Sequence, residues 1–317
     1  MQSPSGKATQ ILLAAAKLLI VALAVWFVWN RLSGSGEDER NAFFLQVQRN
    51  FDAPSIALLL VLAVINRFLE ILKWQTLAST IQSVSFWEAT RQVLAALTLS
   101  VFTPNGIGAY GAKALFFKRV FARRVVFLNL ICNGVQLIVT VVFGLCGLLV
   151  FTVTFKTGEI RVITLAIALL TGLVAALYFA RRITIKGYSI KTIWLKVREI
   201  PAENHRRNSF FAVLRYLTFS HQYYFMFVIL GADQPYWLLM SIIASMYFIA
   251  SALPTIQLFD FAVKGGVAVY FFGMAGVSEW IPAFVATAMW VLNAALPVLV
   301  GTFFVLSFKP SWKSSLR

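Results

Sequence analysis

Repeated apolar runs, each long enough to cross a bilayer, constrain this chain more than any other feature. They fall at 11–29, 55–74, 125–151, 160–180, 210–230 and 283–307, and two further apolar regions, 93–118 and 236–275, are interrupted. A spanning helix needs about 20 apolar residues, because in hydrocarbon every peptide group must find its hydrogen bond within its own segment. The runs therefore predict an all-α fold, a polytopic membrane helical bundle. With 60% apolar residues, the 317-residue chain leaves little for a soluble domain. Its longest polar stretch, 181–209, is too short to sustain a core unaided and reads as a loop, with room for a helix lying on the membrane. The chain reads as one integral membrane domain, 1–317, divisible into halves 1–155 and 156–317. The first run is nearly twenty residues long, holds Lys17 and lacks a convincing small-x-small cleavage site, so it is expected to remain as a span.

A net charge of +16 raises the question of nucleic acid, but the basic residues sit in particular loops between apolar runs. One cluster is Lys113, Lys118, Arg119, Arg123 and Arg124; a second runs from Arg181 to Arg207; Lys309, Lys313 and Arg317 end the chain. Glu37, Asp38, Glu39, Asp52, Glu159, Asp233 and Glu279 occupy the intervening loops. That alternation is a topology signal: basic loops belong in the cytoplasm, which puts both termini there in a multi-pass inner-membrane protein. No nucleic-acid partner is implied, and the basic loops would also attract anionic lipid headgroups.

Both cysteines, Cys132 and Cys146, fall in one apolar run, a poor setting for a bridge or a zinc site. There are two histidines, and no H-E-x-x-H, Walker, G-x-S-x-G or C-x-x-C pattern. No catalytic residue, metal or cofactor is expected.

The two interruptions carry the functional signal. The loops on either side of 93–118 both read as cytoplasmic, so this segment must enter and leave on one side. Thr103-Pro104-Asn105-Gly106-Ile107-Gly108 cannot continue a helix smoothly. Irregular backbone at membrane depth is tolerated only inside protein or beside a wet cavity, which places a polar cavity near Asn105. In the second region Ala252-Leu253-Pro254-Thr255 breaks the run and Gln257, Asp260 and Lys264 share one helical face. Charge parity permits two full crossings or a second re-entrant hairpin entering from outside, and the hairpin is preferred. Two proline-kinked spans are the plainer alternative. Paired interruptions point to a transporter site, where freed backbone groups and half-helix dipoles meet a charged substrate.

Ionisable groups inside spans are functional candidates because each is costly there. Arg67 and Glu70 lie deep in the second run, near Asn66, while Lys73 and Trp74 read as interfacial anchors. Asn129, Asn133, Gln136 and Thr140 form one face, continued by Gly144 and Gly147, suited to helix packing or to substrate. Arg215 with Gln222 makes a further polar face, and Asp260 with Lys264 an i,i+4 pair. His221 reads as a packing residue. The candidate substrate-binding set is Arg67, Glu70, Asn105, Lys113, Asn133, Arg215, Gln222, Asp260 and Lys264.

The stretch Phe102-Thr103-Pro104-Asn105-Gly106-Ile107-Gly108-Ala109-Tyr110-Gly111-Ala112-Lys113-Ala114 resembles the lysylphosphatidylglycerol synthase transmembrane, or flippase-like, family. Lys73-Trp74 and Leu253-Pro254 are similar to other family features, so the resemblance covers nearly the whole chain. Ala109 stands where relatives usually carry Glu, and Gly106 where they often carry a basic residue. The resemblance implies translocation of a phospholipid or lipid-linked headgroup between leaflets, with membrane lipids as partners, anionic or lipid-linked, and without a fused aminoacyl-transferase domain. Two other functions are weighed against it. An intramembrane lipid-carrier glycosyltransferase would need a carboxylate base or metal ligand, and Glu88, Glu199 and Glu203 form no pair. A non-transporting scaffold would bind a membrane protein partner.

Overall fold

The computed structural model describes residues 15, 19, 22–34, 36–103, 106–156, 190–253 and 255–308, with backbone alone at 190–193. The expected span at 160–180 lies outside the described residues, as do Pro104, Asn105 and Pro254. Among the described residues the structure is built of helices and short connections and has no strand.

Helix α1 (22–34) is followed by α2 (Glu37–Asn50), which the sequence reading treated as loop. Three acids open α2 and Arg49 closes it, complementing the helix dipole. Its buried residue, Phe43, packs at 6.0 Å on the Trp280 ring and at 5.7 Å on Phe284. Asp52 caps α3 (Ala53–Ala78) by accepting from Ser55 N, and Pro54 sits in the first turn, where its missing N–H costs nothing. Ser85 and Glu88 close a capping box on α4 (Phe86–Ser100), and a first break leads to the seven-residue α5 (Gly108–Ala114). A 3₁₀ turn (Arg119–Phe121) then opens α6 (Ala122–Phe155).

The described part of the polar stretch is helical, the alternative to a loop for which the sequence left room. It holds α7 (Ile190–Arg198) and the first turns of α8 (Ala202–Ile229), which begins well before the expected 210, with Glu203 and Arg207 paired at 2.6 Å across its first turn. Helix α9 (Tyr236–Ala252), a second break and α10 (Asp260–Met274) follow. The last expected span is α11 (Trp280–Trp290) joined through a π turn (Val291–Ala295) to α12 (Leu296–Leu306).

Three helical stretches are long and apolar enough to cross a membrane, Ala53–Ala78, Arg119–Phe155 and Trp280–Leu306, which is the mark of a membrane protein. The 26 residues of α3 extend for about 39 Å, more than the hydrocarbon thickness needs. Val61, Val64, Phe68, Leu299 and Phe303 stand exposed along these stretches, as side chains facing lipid would.

Small residues set the closest contacts. A Cβ on Gly144 would lie 2.3 Å from Phe248 Cβ, and one on Gly147 2.6 Å from Ser241 O, so α6 and α9 pack backbone to backbone. Gly301 lets α12 settle onto Leu94 and Thr98 of α4 in the same way. With α3 against α8, these pairs join residues from both sides of position 155, so the two halves interlock.

The core divides into two main clusters. One gathers α8 to α11 with Leu59, Leu148 and Phe151; the other surrounds Trp74, Val93, Phe117, Leu128 and Cys132. Between the clusters, α3 places Asn66, Arg67 and Glu70, and α6 places Asn133, Gln136 and Thr140, on the wall of a cavity.

Candidate functional site

Both breaks are built structures. In the first, Thr103 Oγ1 donates to Ser100 O at 2.6 Å and accepts from Gly108 N at 2.9 Å, which ties the end of α4 to the start of α5. Gly106 holds a φ of +67°, a backbone state that side-chain-bearing residues avoid. The second break runs through a buried Thr255 and a 3₁₀ turn at Gln257–Phe259 into α10.

The breaks meet each other. Leu258 N donates to Val101 O at 2.9 Å, and Ser100 Oγ donates to Gln257 Oε1 at 3.1 Å. Trp290 Nε1 donates to Gln257 O at 3.3 Å, fixing the second tip to α11. Two chain interruptions far apart in sequence therefore satisfy one another's polar groups, as irregular backbone in an apolar bundle must.

Beside this junction lies a cavity of about 490 Å³. Its wall takes Arg67, Glu70, Lys113, Asn133, Arg215, Asp260 and Lys264 from the nine candidates. Asn105 lies outside the described residues. Gln222 is fully buried behind the wall, where Nε2 donates to Leu59 O at 2.9 Å and Oε1 accepts from Asn293 at 3.0 Å.

Charge in the wall is organised around two carboxylates. Glu70 takes the guanidinium of Arg67 in direct contact and that of Arg215 at 3.4 Å. Asp260 takes Lys264 at 2.6 Å, and the Lys264 ammonium also faces the Tyr247 ring at 5.5 Å. Lys113 has no carboxylate among the described residues. Its ammonium donates to Asn129 Oδ1 at 2.7 Å and stands 4.2 Å from the Trp74 ring centre, partners that stabilise a cation without cancelling it.

Lys73 and Trp74 overturn the expectation that they anchor at the membrane surface: they are 1% and 0% exposed. The Lys73 ammonium donates to Gln136 at 2.8 Å and Trp74 Nε1 donates to Gln92 at 2.6 Å, so a buried polar cluster claims them. Arg215, which could have reached the surface, is likewise held inward by Glu70 and by Gln136 at 3.5 Å.

Asn293 is the member that sequence reading missed. Pro297 has no N–H to give the carbonyl four residues earlier, so Asn293 O loses its helical donor, and the Arg67 guanidinium takes that place. The π turn around Asn293 marks the same local disruption. The Asn293 side chain accepts from Asn66 at 2.6 Å and donates to Gln222, tying α3, α8 and the π turn together at the wall. The signal was an Asn four residues before a Pro in an otherwise apolar run. Tyr223, Tyr247 and Trp290, also in the wall, were indistinguishable in sequence from core aromatics.

Several buried polar atoms in the wall lack a partner: Arg67 Nε, Arg215 Nε, Asn129 Nδ2 and Tyr223 OH, which are donors, and Asn66 Oδ1, an acceptor. Of the carboxylates that could serve as a catalytic base, Glu70 and Asp260 are in ion pairs, Glu88 is in its capping box and Glu203 pairs with Arg207, while Glu199 is exposed and stands outside the cavity wall. Among the described residues no group of three His, Cys, Asp or Glu side chains could hold a metal ion. What the wall offers chemically is donors and positive charge around an open volume, suited to holding an anion.

No protein-family model matches the chain, and no curated protein matches it in sequence.

Proposed function

We propose that this chain is a multi-pass inner-membrane transporter that moves the polar headgroup of an anionic or lipid-linked substrate between leaflets. One observation carries the reading: two interrupted helical segments, one in each half of the sequence, touch tip to tip at Val101 and Leu258 beside a charged cavity of about 490 Å³. A bundle gains nothing in stability from two broken helices and buried cations, which each cost free energy, so their convergence on one volume favours passage of something hydrophilic.

In this account both termini are cytoplasmic, α4 and α5 enter from the cytoplasmic side, and α9 and α10 enter from outside, so that the touching tips form the barrier at mid-membrane. Resemblance of the Thr103 to Lys113 stretch to flippase-like proteins supports the same function. A lipid, rather than a soluble anion, is favoured by an apolar groove of about 340 Å³ lined by Ile56, Leu59, Leu60, Met226, Phe284 and Leu292. Leu292 of the groove precedes Asn293 of the cavity wall, so the groove would take the tail of the lipid whose headgroup is inside.

The test is reconstitution into liposomes carrying fluorescent lipids with different headgroups, with a membrane-impermeant quencher to follow exchange between leaflets. Faster exchange than in protein-free vesicles is expected for anionic headgroups, and Gln257→Ala, which loosens the junction, should alter that rate. No acceleration for any lipid class overturns the proposal.

A further inference from the structure

The ligand's charge can be read from the wall. Arg67, Lys113, Arg215 and Lys264 supply four positive charges and Glu70 and Asp260 two negative ones, which leaves an excess of two. Lys73, whose ammonium is bonded to the wall residue Gln136, stands behind with no carboxylate of its own among the described residues. The excess is localised. Arg67 and Arg215 share Glu70, which leaves one charge there, Lys264 has Asp260, and Lys113 adds the second with no carboxylate among the described residues.

Lys113 and Arg215 are tied to Asn129 and Gln136 of α6, seven residues apart and so roughly two helical turns, with Asn133 between them. Asn133 is exposed to the cavity and keeps only a 3.2 Å bond from its amide to the Tyr110 hydroxyl. Of the partnerless buried atoms in this wall, Arg67 Nε, Arg215 Nε, Asn129 Nδ2 and Tyr223 OH are donors, which an acceptor-rich group would satisfy.

We infer that the cavity holds a phosphate monoester, a dianion with three terminal oxygens, between Lys113 and Arg215. A phosphodiester, with one charge and two free oxygens, leaves positive charge buried. A pyrophosphate monoester, with three charges, overshoots the balance, and a pyrophosphate diester, with two, spreads them over two phosphoryl groups and brings no dianionic centre to Lys113. The monoester cancels the wall's excess of two and concentrates both charges on three terminal acceptor oxygens. The inference rests on the transport reading for its lipid source, because the same phosphoryl group could also arrive as free inorganic phosphate.

The experiment uses the full chain in nanodiscs, titrated at pH 7.5 with phosphatidic acid, with phosphatidylglycerol of identical tails, and with inorganic phosphate. Phosphatidic acid should bind about tenfold more tightly than phosphatidylglycerol, the effect expected of one additional charged hydrogen-bonding interaction. The preference should shrink at pH 5, below the second phosphate pKa of about 6, where the monoester keeps one charge. Lys113→Gln should abolish the preference, while Lys118→Gln, an exposed neighbour on the loop, should leave it intact. The wild-type ratio and its pH dependence stand as a test even if the Lys113 variant does not fold. Equal binding of the two lipids overturns the monoester assignment and leaves lipid transport standing. Saturable binding of inorganic phosphate with no response to either lipid upholds the phosphoryl site and overturns the lipid reading. No binding of any of the three overturns both.

Discussion

Arg67→Met is the sharpest single perturbation of this structure, because one guanidinium serves two buried partners. It neutralises Glu70 and supplies the donor that Pro297 denies to Asn293 O. Removing one partner of a buried ion pair costs about 3–5 kcal/mol, and the low end applies here because Arg215 remains 3.4 Å from Glu70. Of that loss, about 1–3 kcal/mol belongs to the orphaned carbonyl. The carbonyl share can be returned separately: Pro297→Ala restores a helical N–H four residues from Asn293, so it should recover about 1–3 kcal/mol in the Arg67→Met background and little in wild type. The assay is a double-mutant cycle of unfolding free energies in mixed micelles. Equal costs for Arg67→Met with and without Pro297 would refute the account of the π turn.

Gly147→Val should lower thermal stability by about 1–3 kcal/mol or more, because its Cβ would press on Ser241 O and Ala244 Cβ where no flexible side chain can yield; melting in detergent measures this. Gln257→Ala removes one bond from Ser100 and should cost only about 1 kcal/mol in stability while changing exchange rates in liposomes disproportionately. At the other end of α3, the bonds from Ser55 hold the Asp52 carboxyl below its usual value of 3.8. A depressed native pKa contributes stability above the unfolded value and loses it as pH falls through the native one. Wild type should therefore exceed Asp52→Asn in stability at neutral pH, and the two should converge in acid titration.

Much of the bundle was legible because hydrophobic length is a local property. The runs at 55–74, 125–151 and 283–307 appear as long apolar helices, and the Thr103 to Gly108 break stands where Pro and Gly chemistry put it. Helix α2 was missed because its signal is end charge and a single buried Phe43 rather than an apolar run. Polarity alone made 202–208 look like loop, although an i,i+4 pair and Pro201 start a helix there. At the site, Arg67, Glu70, Asp260 and Lys264 were visible as charges inside apolar runs. Lys73 was misjudged because position along a helix does not reveal which neighbour covers it: Gln136, far along the chain, draws it inward. Asn293 depended on a tertiary partner, Arg67, for the meaning of Pro297. Contact between the two breaks, through Leu258 and Val101, could not be read from either segment alone.

The most direct measurement is a density map of the chain in nanodiscs made with phosphatidic acid. The account predicts a headgroup in the cavity between Lys113 and Arg215, beside the joined tips at Val101 and Leu258, with its tail leaving toward the groove at Leu59 and Phe284. Headgroups confined to the bilayer surface, over a cavity closed by apolar side chains or filled with hydrocarbon, would contradict it.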